Sequence, residues 1–169
     1  ALWFYVGKLL YPHPLIFTYP RWIIDTSAIT QFLFPLSFLF LLFGLWKIRV
    51  RIGRGPLTAV LFFSGTLTPA LGFVNFYPMR FSFVADHFQY LASVGLIGLA
   101  ASGITRWITQ RSVGKILVFL LLTGYGILTW NQTLVYKNAE TLWKYTITQN
   151  PKAWMAHNNL AVIMKQKGK

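Results

Sequence analysis

Two cationic clusters break this chain into long uncharged runs: Lys47-Ile48-Arg49-Val50-Arg51-Ile52-Gly53-Arg54, and the stretch from Arg106 to Lys115. Each reads as a short loop joining two apolar segments. Lys and Arg beside a span resist translocation, so both clusters are expected on the cytoplasmic side of a bilayer, with the other connections facing outward. A formal charge of +13 would suggest a nucleic-acid partner in a soluble domain, but here it sits in a chain that is 55% hydrophobic and only 11% charged. Topology accounts for it better. Lys47, Arg49, Arg51, Arg54, Arg106, Arg111 and Lys115 fall in the two clusters, and Lys165, Lys167 and Lys169 end the chain. No basic stripe is interleaved with exposed aromatics, which argues against nucleic acid as a partner. Without Cys there is no disulfide framework and no thiolate metal site.

Four segments are apolar enough to cross a hydrocarbon core of ~30 Å. Thr26 to Trp46 is uncharged, with Pro35 expected to kink it. Leu57 to Phe76 carries Pro69 and Gly72 in its outer half. Phe88 to Trp107 is rich in the small residues that let membrane helices pack closely, so part of its surface is expected to face protein. Lys115 to Trp130 is short but extends through Asn131 to Val135 if the polar residues reach the headgroups. Trp22, Trp46, Tyr77, Trp107 and Trp130 lie near the predicted span ends, as interfacial anchors do. Residues 1–25 read as a short interfacial helix followed by a Pro-rich outer loop containing Pro12, Pro14 and Pro20. The chain opens at Ala1 with neither an initiator Met nor a signal-peptide pattern, and so reads as a piece of something longer.

From Asn131 the character changes to polar and helical. Ala139, Trp143, Thr146 and Pro151 have the small, aromatic, small, Pro spacing of the second helix of a tetratricopeptide repeat, and Trp154 to Ala161 continues the register. His157 replaces the repeat's usual Trp, Ala161 its Gly and Met164 its Tyr; Gly168 then reads as a turn. About three repeats are needed to bury a solenoid core, so further repeats are expected beyond Lys169. The whole reads as an all-α, polytopic membrane fragment: residues 1–25, a region of about four transmembrane helices over 26–130, and the start of a repeat domain over 131–169.

This arrangement, together with the outer stretch from Tyr77 to Gly95, resembles bacterial membrane proteins similar to the transmembrane and tetratricopeptide-repeat O-mannosyltransferases of the GT-C glycosyltransferase superfamily. Lys8-Leu9-Leu10-Tyr11-Pro12 and Phe17-Thr18-Tyr19-Pro20 are similar to a region those proteins carry midway through their membrane part. Where the eukaryotic members have Glu-Arg, Asp86-His87 stands here, and Tyr90 is followed by Ala92-Ser93 instead of Pro-Ser. The resemblance implies transfer of a sugar from a polyprenyl-phosphate carrier to a protein acceptor outside the cytoplasm, in a bacterial inner membrane, with the repeats presenting the acceptor. It also places the essential acid, and any divalent cation, in an earlier outer loop that this chain does not contain. No catalytic residue is therefore assigned.

The residues themselves offer a substrate-binding set. A carrier phosphate at the outer surface needs cations, and Lys8, Arg21 and Arg80 are the basic residues there; the planar guanidinium fork favours the arginines. Their bland alternative is snorkelling to headgroups. Asp86, His87, Gln89 and Tyr90 straddle the mouth of the third span, where polar groups are costly unless paired or wet. Asp86 is expected either to hold Arg80 or contact sugar hydroxyls, or to cap the third helix. If that turn is helical, Asp86 shares a face with Tyr90 and with Gln89. His13, His87 and His157 show no metal-ligand spacing. Asn131-Gln132-Thr133 matches a glycosylation acceptor but abuts the membrane. The alternative readings are a noncatalytic anchor displaying a repeat scaffold, and half of a transporter.

Overall fold

The computed structural model describes residues 1–25, 27–73, 77–108 and 110–168, and among these the regular elements are all helical. The α-helices are α1 (Leu2–Leu10), α2 (Ile29–Ile52), α3 (Gly55–Leu67), α4 (Tyr90–Gly103), α5 (Ser112–Val135), α6 (Ala139–Gln149) and α7 (Trp154–Gln166). Three helical runs are long and apolar enough to cross a membrane: α2, Asp86–Arg106 (containing α4), and α5. Hardly any of their apolar surface is buried by protein, as expected of helices whose solvent is lipid.

The second apolar segment is shorter than the expected run from Leu57 to Phe76. Its α-helix ends at Leu67 and tightens into a 3₁₀ turn over Thr68–Leu71, and Gly72 then turns left-handed at φ 97°. Thirteen α and four 3₁₀ residues rise only roughly 27 Å, slightly less than a hydrocarbon core. Val74 to Phe76, the end of the expected span, lie outside the described residues. Pro69 contributes to the early stop, because it has no N–H to continue the α ladder.

The first cationic cluster is mostly helix. α2 runs on through Lys47 and Arg51 to Ile52, and the connection to α3 shrinks to Gly53 and Arg54, with Gly53 at φ 84°. Cations in the last turn favour this extension by opposing the negative end of the helix dipole. Arg49 and Lys47 also lie over the rings of Trp46 and Phe43. At the second cluster α4 passes into a π-turn, Ile104–Ile108, and α5 starts at Ser112, so Lys115 is helical too. A Cβ at the buried Gly114 would collide with the carbonyl of Ile108, so this tight corner needs glycine.

The small residues at the start of the third span meet protein, while Gly98, Ala100, Ala101 and Ser102 further along it are exposed. α4 packs along α3, with Ala92 and Ser93 buried and Gly95 placed so that a Cβ would stand 3.0 Å from the Ala59 carbonyl.

The core gathers at the end of the bundle remote from the cationic clusters. Tyr5, Ile16, Tyr19, Phe63, Leu67, Ala70, Val84 and Ala92 form one buried cluster, so the apolar face of α1 is covered by protein and not by headgroups alone. The carbonyls at the C-terminal end of α1, left without helical partners, are met by α5: the Tyr125 hydroxyl lies 2.9 Å from both the Leu9 and Leu10 oxygens. Gln132 donates to the Leu15 carbonyl at 2.9 Å. The expected anchors Trp22, Trp46, Tyr77 and Trp130 are all exposed, although Trp22 also packs edge-on against Phe4.

α6 and α7 pack together as a helical hairpin. Asn138 caps α6 by accepting from the Thr141 N–H at 2.8 Å, Thr146 and Ala156 are buried, and Gly168 turns at φ 70°. Glu140 pairs with Lys144 on its own helix (2.6 Å) and with Lys167 across the hairpin (2.5 Å). Those hydrogen bonds, the Lys144 one first, bring its carboxyl down to about 2.

Candidate functional site

The polar residues at the mouth of α4 are organised by tyrosines from the start of the chain. The Tyr5 hydroxyl sits at the backbone of Ala85, accepting from its N–H at 3.2 Å and facing its carbonyl at 3.4 Å. Tyr19 donates to Asp86 Oδ1 at 2.7 Å. Burial raises the Tyr5 phenol to about 12, and it raises Tyr19 further still, with the Asp86 charge and hydrogen bond adding to burial. Both stay protonated near neutrality, and Tyr19 is a fixed donor to the carboxylate. Ser82 completes the loop by donating to the Val84 carbonyl at 2.6 Å.

Asp86 is not a helix cap. It opens the 3₁₀ turn Asp86–Gln89, whose N-cap is Ala85, and α4 follows with Gln89 at its N-cap; neither has a side-chain cap hydrogen bond. Nor does Asp86 hold Arg80: the ion pairs among the described residues are those of Glu140. The carboxylate instead borders a cavity of ≈ 410 Å³, whose wall includes His87, Tyr90, Tyr136, Phe81 and Met155. Asp86 and Tyr90 both line this cavity. Gln89 does not join them; it is buried, and its Oε1 has no hydrogen-bond partner among the described residues. His87 is exposed, its ring packed edge-on against Phe88.

The three expected cations go elsewhere. Lys8 donates to the Pro14 carbonyl at 2.6 Å and lies over the Phe4 and Tyr19 rings. Burial lowers its pKa, opposed by attraction to Asp86. Arg21 and Arg80 are exposed and line a neighbouring cleft of ≈ 620 Å³, which shares Thr18, Phe81 and Met155 with the first cavity. The seven candidate residues therefore separate into an acidic, aromatic cavity (Asp86, His87, Tyr90), a cationic cleft (Arg21, Arg80), a structural lysine and a buried amide.

The hairpin closes over both spaces. Asn150 donates to the Thr18 carbonyl at 3.0 Å, Phe17 meets Trp143 edge-on at 5.1 Å, and Phe81 packs on Trp154 at 5.1 Å. Sequence reasoning missed Tyr5, Tyr19, Tyr136 and Met155, all apolar-looking residues distant along the chain from Asp86. The glycosylation-type triplet lies inside α5, with Gln132 already engaged. Among the described residues no group of three or more His, Cys, Asp or Glu could hold a metal ion. No protein-family model, curated protein or solved structure matches this chain.

Proposed function

We propose that this chain is the C-terminal membrane portion of a glycosyltransferase that moves a sugar from a polyprenyl-phosphate carrier to a protein acceptor outside the cytoplasm. The observation that supports it best is the Asp86 cavity. A carboxylate held by a buried tyrosine stands at a span mouth, among aromatic walls, in a space of ≈ 410 Å³. Such a wall of rings with few, fixed polar groups suits a small polar ligand with apolar faces, such as a pyranose. The carrier phosphate is assigned to Arg21 and Arg80 in the adjoining cleft. α6 and α7 are read as the first tetratricopeptide-type hairpin, presenting the acceptor beside the cavity.

In this reading Gly55–Leu71 is a fourth, short crossing, and the hairpin lies outside a bacterial inner membrane. Cysteines at Gly55 and Ser112 are expected to be shielded from an impermeant thiol reagent in intact cells, while one at the exposed Asn158 reacts. Reaction at the first two with protection of Asn158→Cys would reverse the orientation. Ser82 is a poor reporter because it is buried.

Activity is tested on the full-length protein in vesicles supplied with a series of radiolabelled polyprenyl-phosphate hexoses and periplasmic protein. Transfer of label to protein is expected; no transfer from any donor sinks the enzymatic reading. The seating of the hairpin on the rest of the chain, through Asn150, Trp143 and Trp154, equally suits a noncatalytic anchor that displays a repeat scaffold. An inactive protein whose hairpin still captures envelope proteins would favour that second reading.

A further inference from the structure

Arg21, Arg80 and Lys152 come from three separate stretches of chain and open on one cleft of ≈ 620 Å³. No carboxylate side chain lines it, and none of the three cations is ion-paired among the described residues. Like charges facing one space repel, and a bound anion removes that cost. The arginines lie against rings, Arg21 over Phe83 at 4.6 Å and Arg80 over Tyr77 at 5.9 Å. Stacking of this kind orients a guanidinium while leaving its edge N–H groups available.

The third side is the turn between α6 and α7. α7 begins there at Trp154, with no side-chain cap on its positive end. The carbonyls of the turn are already occupied: Asn150 O accepts from the Ala153 N–H, Lys152 O from the Trp154 N–H, and Pro151 O faces His157 Nε2 at 2.9 Å. The N–H groups of Ala153, Trp154, Ala156 and His157 are likewise taken, so the cleft's donors are the side chains of Arg21, Arg80 and Lys152. Beside it Thr18 is 3% exposed and its hydroxyl has no partner among the described residues, a state that buried polar groups rarely keep.

We propose that this cleft is a phosphate site completed by the hairpin, with Lys152 from the turn between α6 and α7 closing on a phosphate held by Arg21 and Arg80. The phosphate belongs either to a lipid headgroup at the outer surface or to a free ion. Guanidinium forks match the paired oxygens of a tetrahedral phosphate, which is why phosphate is favoured over a halide. The site rests on the assignment of Arg21 and Arg80 made above, but its test reads binding and not sugar transfer, so the two fail separately.

The full-length protein, in a phosphorus-free maltoside detergent, is titrated by calorimetry with inorganic phosphate and, separately, with dioctanoyl phosphatidylglycerol. Lys152→Ala and Arg80→Gln are each expected to weaken binding at least roughly tenfold, the usual scale for losing a charge-assisted hydrogen bond. Lys165→Ala, far along α7, should change it by less than about twofold. Because Lys152 and Arg80 are exposed, these variants should fold, and ligand-induced rises in Tm give a second measurement. Binding of both probes identifies phosphate itself as sufficient, and binding of the lipid alone identifies the headgroup; either result supports the site if the variants lose it. Wild-type protein that binds neither probe, or variants that bind as tightly as wild type, would overturn it.

Discussion

Asp86→Asn in the full-length protein is expected to reduce sugar transfer at least roughly tenfold, equivalent to ~1.4 kcal/mol in the barrier, while leaving thermal stability close to wild type. The substitution is nearly isosteric, and the amide oxygen can still accept from Tyr19, which stands 2.7 Å away in the native protein. No helix cap is lost, because none is made. What disappears is the negative charge facing the cavity, so a change in turnover without a change in folding reports on that charge alone. Initial rates with a labelled polyprenyl-phosphate sugar, taken beside a melting curve, separate the two effects. If the variant turns over at the wild-type rate, Asp86 is a structural partner of Tyr19 and nothing more.

The spans and the site were legible to different depths, for a physical reason. Hydrocarbon demands long uncharged runs, so three spans stand out directly from the sequence. Charge, however, marks the membrane boundary and not the helix boundary. A helix satisfies its own backbone and continues through Lys47 to Ile52, where sequence reasoning placed a loop. The short Gly55–Leu71 run shows the converse: it is apolar throughout, but Thr68, Pro69 and Gly72 tighten and end the helix before the hydrophobicity ends.

At the site, Asp86 and Tyr90 were visible because polar groups at a span mouth require an explanation. Their supports were not. Tyr5 and Tyr19 read as part of an apolar interfacial stretch, and only tertiary folding brings Tyr19, 67 residues away in sequence, to Asp86. The expected Arg80–Asp86 pair failed on the same ground. Nearness along the chain suggested it, but the two side chains open on different cavities.

The buried cluster packs the tyrosines that meet Asp86 and Ala85, and Leu67→Ala should expose that dependence with the largest stability change of any substitution considered. Leu67 is 0% exposed and sits at the end of α3, within the buried cluster that contains Tyr5, Tyr19 and Val84. Truncating a fully buried leucine typically costs 2–5 kcal/mol, from lost transfer energy and the cavity left behind. The cost should not be spread over the bundle, because lipid is as apolar as leucine and burying a span's side chains gains little hydrophobic energy. Leu120 on α5, 58% exposed, provides the comparison: its truncation should change stability by less than about 1 kcal/mol. The loss in Leu67→Ala should therefore appear as early loosening of residues 1–25 and 77–90, read as faster protease cleavage there while the apolar helices stay protected. Denaturant unfolding in micelles measures the magnitude. Equal effects for Leu67→Ala and Leu120→Ala would mean that the buried cluster does not carry the stability of residues 1–25 and 77–90, and that Tyr5 and Tyr19 are held in place by something else.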